Sequence, residues 1–202
     1  MTATITLASV RAAGGTPLGG ADVVDLELLD WAAAALARAL HLSCRVLTES
    51  IDAAFAFDPS RNQYHSTRIL QMLDARAAAR GGAEGLLLAI TGLDLYVPVL
   101  TFVFGEAQRP GRCAVVSTHR LREEFYGLPA NPGRLRERLV KECLHELGHN
   151  FGLAHCEDWR CVMSSAHAVE RIDLRGAAFC ERCCPAIAPG ARGSPARGGA
   201  RA

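Results

Sequence analysis

The run Cys143-Leu144-His145-Glu146-Leu147-Gly148-His149-Asn150-Phe151-Gly152-Leu153-Ala154-His155 constrains this chain more than any other stretch. Residues four apart on an α-helix share a face, with Cβ atoms roughly 5–6 Å apart, so His145 and His149 can offer two imidazoles to one ion. Zinc prefers tetrahedral N and S ligation, and catalytic sites use three protein ligands and leave the fourth position to water. His155 can be the third ligand only if the helix stops before it. Gly152 provides that stop, because glycine readily takes the left-handed conformation that ends a helix and turns the chain back. Glu146, directly after the first ligand, would face the water. A His-Glu-x-x-His run alone also occurs on solvated helix faces. The added glycine and third histidine argue against that explanation here.

The preceding residues supply the helix. Asn131 is a suitable N-cap, and Pro132 fits the first helical position, where a missing N–H costs nothing. Leu135, Leu139, Cys143 and Leu147 recur at nearly helical spacing, which predicts a helix from about Pro132 to Phe151 with its ligands near the C-terminal end. Cys143 lies on the buried stripe and is excluded as a nucleophile. His41, His65, His119 and His167 have no comparable partners and read as surface or core residues.

Cys156 and Cys161 have four residues between them, and Cys180 and Cys183 have two. Both gaps suit a closed structural zinc site of four thiolates. Two disulfides are the alternative, and compartment bears on the choice. Met1 to Val10 lacks a basic start followed by an apolar core, so no secretory signal is expected. Asp22 to His41, the most apolar helix candidate, is interrupted by Asp25, Glu27, Asp30 and Arg38, which argues against a membrane span. A cytoplasmic chain keeps its thiols reduced and free for metal, which favours zinc.

With these residues in view, the run from His145 through Cys183, including Cys161-Val162-Met163, resembles the archaemetzincin family of zinc peptidases. The similarity continues upstream through Leu93–Pro98, Phe102–Ala107 and Arg122–Pro129, and more weakly to the first strand, so it spans residues 1–184. The resemblance implies an α/β (α+β) metzincin-like fold: a mixed twisted sheet packed with helices, an active-site helix and a methionine turn. It implies that His145, His149 and His155 hold a catalytic Zn2+ and that Glu146 is the general base. It further implies that Cys156, Cys161, Cys180 and Cys183 hold a second, structural Zn2+, with Met163 packing beneath the catalytic metal. Two departures stand out. The interval from Met163 to Cys180 is one residue shorter than the family pattern, and Cys184 directly follows Cys183. Cys184 is therefore an alternative fourth ligand. His155 and Cys156 would serve different metals, which is feasible because adjacent side chains of extended backbone point opposite ways.

The expected activity is hydrolysis of peptide or protein substrates by metal-activated water, with Glu146 taking a proton and passing it toward the leaving amine. The alternative is a catalytically weak or inactive zinc-stabilised peptide-binding protein. Three histidines together with Glu146 argue against it, since a purely structural site gains nothing from an open position. Zinc deaminases place one residue between their His and Glu, a pattern that His145-Glu146 does not match.

The rest reads as scaffold for one domain, residues 1–184, since 202 residues at 50% hydrophobic suffice for one substantial core. Thr4 to Val10 alternates like a strand, and Gly14 to Pro17 marks a turn. Val24, Leu28, Trp31, Ala35 and Leu36 follow at helical intervals, then a short strand at Arg45 to Leu47 and a loop at Asp58-Pro59. Ile69, Leu70, Leu73 and Ala77 predict a second helix, ended near Gly81-Gly82. Strands are expected at Leu86 to Ile90, Thr101 to Phe104 and Ala114 to Val116, which suggests a layered fold with a mixed sheet. Thr101 to Glu106 is the candidate edge strand for pairing with an extended substrate, an interior strand being the alternative. Tyr96 and Tyr126 are candidates to polarise a substrate oxygen, with packing as the alternative. Net charge is +1, from 22 basic and 21 acidic residues, which gives no reason to expect a nucleic-acid partner. Residues 185–202 carry three arginines and no acid among Gly, Ala and Pro, a composition expected to be disordered.

Overall fold

Three central strands bury side chains on both faces, and that alternation sets the layers. Ile5, Leu7, Leu88, Ile90, Ala114 and Val116 join one core cluster, while Ala8, Val10, Ala89, Cys113 and Val115 join another on the opposite face. Such two-sided burial is the mark of a parallel sheet covered by helices on both sides. The computed structural model describes residues 4–12, 24–79 and 85–187. In chain order the elements are β1 (Thr4–Arg11), α1 (Leu26–Leu40), β2 (Ser43–Val46), β3 (Ile51–Asp52), β4 (Phe57–Asp58), β5 (Gln63–His65) and α2 (Ser66–Ala79). They continue as β6 (Gly85–Thr91), β7 (Leu95–Tyr96), β8 (Gly105–Ala107), β9 (Cys113–Ser117), α3 (Pro132–Asn150), α4 (Val169–Leu174) and α5 (Cys184–Ile187).

The main sheet has the order β2-β1-β6-β9-β8, with β3 also pairing β1. All its pairs are parallel except β8 with β9, so the sheet is mixed and ends in an antiparallel edge. A smaller sheet, β4-β5-β7, stands beside it. Helices α1 and α3 pack on the first face, and Ile69, Leu70 and Leu73 of α2 on the second. Among the described residues no helix is long and apolar enough to cross a membrane.

Three expectations need correction. The buried stripe of α1 is Leu29, Ala32, Ala33, Leu36 and Leu40, so Leu28, Trp31 and Ala35 sit at its margin. Asp25 caps this helix by accepting from Leu28 N at 2.8 Å. Thr101 to Phe104 is not a strand. The carbonyls of Leu100 and Thr101 are taken by the Arg61 guanidinium (2.8 and 3.1 Å), and that of Thr101 also by the Gln63 amide (3.0 Å), so they are not free for a ladder. The edge strand proper is only Gly105–Ala107. Residues 185–187, assigned above to the tail, belong to α5, and Ile187 is buried in the core. The expected turns at Gly14 to Pro17 and Gly81-Gly82, and residues 188–202, lie outside the described residues.

α3 carries the site and is held at both ends. Asn131 Oδ1 accepts from Arg134 N at 3.0 Å, and Pro132 opens the first turn. Leu139, Cys143 and Leu147 are buried as expected, with Leu135 partly so. Its buried cations are satisfied across the domain: Arg138 pairs with Asp173 (2.7 Å) and Glu123 (2.9 Å), while Lys141 Nζ donates to Ile172 O and Asp173 O at 3.1 Å.

Candidate active site and metal centres

The end of α3 is a two-bond cap built on glycine. Leu153 N donates to Gly148 O at 3.0 Å and Gly152 N to His149 O at 2.8 Å, with Gly152 at φ 97°. This pattern needs a left-handed residue just past the helix, and glycine takes it without the penalty a Cβ brings. The turn brings His155 back over the helix. Ring centroids of His145 and His149 are 4.7 Å apart, and His155 lies 5.2 and 5.1 Å from them.

The tautomers follow from the partners. His145 Nδ1 faces Val162 O and His149 Nδ1 faces Leu153 O, each at 2.8 Å. A carbonyl only accepts, so each Nδ1 carries the proton and each Nε2 keeps a free lone pair. The two Nε2 atoms are 3.1 Å apart, and one ring nitrogen from each of the three histidines falls within 4.8 Å of the others. Two nitrogens at zinc's bonding distance of about 2.0–2.1 Å would span about 3.3 Å at a tetrahedral angle, so the donor set fits that ion. Burial lowers the affinity of all three imidazoles for a proton, most for His145, where Arg175 adds to the effect. Neutral imidazole is the form that ligates.

Glu146 is buried and lines the same cleft of about 420 Å³ as the three histidines. Burial pushes its carboxyl well above the usual range, and the Glu142 and Glu106 carboxylates push the same way. A dication at the histidines would act in the opposite direction. Gly105 of β8 presses on this side chain: a Cβ there would lie 2.7 Å from Glu146 Cγ and Oε1. Any residue but glycine would force the carboxylate to move. Met163 packs directly on Gly148, below the histidines.

The structure brings Cys156, Cys161, Cys180 and Cys183 into one cluster whose sulfurs all lie within 4.8 Å. Cys156 and Cys180 Sγ are 3.7 Å apart, far beyond disulfide length and close to the edge of about 3.8 Å that Zn–S bonds of about 2.3 Å imply. All four are free thiols. Met163 N and Cys180 N donate to Cys161 Sγ at 3.5 and 3.4 Å. A backbone amide from Cys183 holds the Cys180 thiol down to about 6, whereas burial pushes Cys183 up. Cys184 is exposed and outside the cluster, so Cys183 is the better-placed fourth sulfur.

Tyr96 and Tyr126 do not line the cleft: their hydroxyls donate to Asp58 (2.8 Å) and Arg120 O (2.9 Å). Several cleft residues escaped sequence reasoning. Arg175, only 2% exposed, pairs with buried Glu142, donates to Ser164 O at 2.7 Å and lies 3.1 Å from His145 Nδ1. His167, read as isolated, also lines the cleft, as do Glu106 and Arg109.

The sequence profile of peptidase family M54 matches residues 66–188, a span that contains both clusters. The archaemetzincin of Methanocaldococcus jannaschii is 41% identical over 140 residues, which cover 69% of this chain and 74% of that one. The archaemetzincin of Thermococcus kodakarensis is 44% identical over 137 residues, covering 68% and 72%. Among solved structures, a zinc-dependent peptidase from Methanocorpusculum labreanum aligns with a TM-score of 0.78 at 29% identity, over 91% of this chain and 99% of the other. The archaemetzincin of Archaeoglobus fulgidus, solved with malonate, aligns over the same shares at a TM-score of 0.71 and 30% identity.

Proposed function

The chain belongs to peptidase family M54 and is a zinc metallopeptidase; from that premise we propose that His145, His149 and His155 hold the catalytic zinc and that Glu146 is the general base. Cys156, Cys161, Cys180 and Cys183 hold a second zinc whose role is structural, giving two ions in one domain. A cytoplasmic location would keep those thiols reduced. The observation that carries the reading is the convergence of three imidazoles on the cleft that Glu146 lines.

When bound, zinc supplies a Lewis acid for the scissile carbonyl and lowers the pKa of a water from about 15.7 to about 7. The remaining work falls to this chain's own groups. A peptide lies extended along the free edge of β8, antiparallel to it, and main-chain pairing holds it with little demand on side chains. Glu146 takes a proton from the attacking water on its carboxylate and delivers it to the leaving amine nitrogen. Gly105, packed on Glu146, keeps the carboxylate aimed into the cleft. The Nδ1 bonds to Val162 O and Leu153 O fix the faces that His145 and His149 present.

The test is digestion of a diverse peptide library by zinc-quantified protein, before and after stripping with a chelator. Cleavage that disappears on stripping and returns with added zinc is expected. No cleavage across the library by fully loaded protein would reject the reading.

A further inference from the structure

Arg109 lines the cleft, and the chemistry above has no use for it. It stands on the turn Gln108–Gly111 between β8 and β9, and that turn is fastened to the end of α3. Asn150 Nδ2 donates to Gln108 O at 3.0 Å and to Cys113 O at 2.9 Å, and Gly111 N donates to Asn150 O at 3.2 Å. Within the turn, Gln108 Oε1 accepts from Arg112 N and Cys113 N at 3.2 and 3.1 Å. Asn150 follows His149 in sequence, so the turn and the imidazoles keep a constant relation. Arg109 borders the cleft with His149 and His155, and its charge depresses both rings' proton affinity.

Its charge is free. Arg109 is exposed and makes no hydrogen bond or ion pair among the described residues, whereas Arg175 and Glu142 neutralise each other. Glu106, the nearest acid on β8, is held by the hydroxyls of Ser66 and Thr67 at the start of α2. The cleft therefore has one end with an unanswered positive charge. Which part of a substrate meets it follows from strand direction. Gly105 abuts Glu146, so the scissile bond lies near Gly105. In an antiparallel pair, residues before that bond lie toward Ala107 and Arg109, and residues after it lie toward Phe104 and Phe102.

We infer that Arg109 is a specificity residue that selects peptides carrying aspartate or glutamate on the N-terminal side of the scissile bond. The inference rests on the peptidase reading above. An arginine–carboxylate contact at an exposed site gives a preference of about two- to fivefold, and the preference shrinks as salt is raised.

The test uses zinc-loaded protein and matched peptides with Glu, Gln or Lys at each position preceding the cleaved bond, comparing kcat/KM. Glu over Gln by about two- to fivefold is expected for the parent, about one for Arg109→Ala, and a turn toward Lys for Arg109→Glu. An unchanged ratio in Arg109→Ala overturns the inference. So does an equal loss on all three peptides, which would put Arg109 on the reacting carbonyl. Anisotropy binding of the same labelled peptides to zinc-loaded Glu146→Gln, with and without Arg109→Ala, reads the preference without turnover. Absent cleavage in the parent then rejects the peptidase reading, while a flat binding series rejects this one.

Discussion

Two ligand clusters occupy consecutive residues, yet they are built in opposite ways. The histidine cluster stands on a 19-residue helix whose other contacts are complete without metal: a capped start, a glycine-built end, an Arg138–Asp173 ion pair and hydrogen bonds from Lys141 to the carbonyls of Ile172 and Asp173. Its second and third histidines are open to the cleft. The cysteine cluster joins segments with little regular structure of their own, since among the described residues only α4 and α5, of six and four residues, follow α3. Cys161 and Cys183 are 2% and 7% exposed. On the proposed reading, one cluster is a site placed on an existing fold, and the other is a large part of what folds the C-terminal segment. They meet at His155-Cys156, and Cys156 N donates to Met163 O at 2.9 Å, which ties the cysteine loop to the methionine under the histidines.

The sharpest way to break this contrast is to remove one ligand from each side. Cys161→Ser is expected to lose the structural ion and to lower Tm by about 10 °C or more, because structural zinc contributes several kcal/mol to folding. His149→Ala should abolish hydrolysis and retain one ion, with Tm within a few degrees of the parent. Calorimetry with metal analysis decides; equal Tm losses would erase the distinction.

The next effect probes the link between the two regions. Arg175 joins Glu142 on α3 to the Ser164 carbonyl beside Met163, and burial pushes the Glu142 carboxyl up while Arg175 pulls it down. Breaking such a pair costs about 3–5 kcal/mol, so Arg175→Met should destabilise by that amount in urea titrations. Adding Glu142→Leu should recover much of the loss, and no recovery would mean that Arg175 acts through Ser164 instead.

Gly105→Ala bears on the histidine side alone. Displacing Glu146 by about 1 Å should reduce kcat/KM by about 100-fold with two ions retained. Full activity would show that the carboxylate adapts. The smallest effect is expected from Cys184→Ser: unchanged zinc content and Tm. Loss of an ion there would transfer the fourth ligand from Cys183 to Cys184.

How much of this was legible depended on distance along the chain. Asn131, Pro132, Gly152 and the three histidines act within a few turns of one helix, so spacing and backbone preference suffice to read them. The cysteine pairs are legible for the same reason, but the choice between Cys183 and Cys184 needed the position of α5. Arg175 and Glu142 were invisible because each finds its partner 33 residues away, and Arg109 because the turn that carries it reaches the cleft only through the bond from Asn150 to Gln108, 42 residues apart. Thr101 to Phe104 has the composition of a strand but pairs only at an isolated bridge of Val103 with Leu95, because Arg61 and Gln63 occupy the Thr101 carbonyl. The stripe on α1 was misplaced because alanines on several sides of that helix blur its period.

The contrast between an open and a closed cluster comes down to Glu146. Zinc analysis and kcat/KM of Glu146→Gln beside the parent is the most direct measurement: two ions per chain and a rate lower by at least about 100-fold are expected. Undiminished turnover with both ions bound would remove Glu146 from the chemistry, and with it the reason for reading the histidine cluster as the working site.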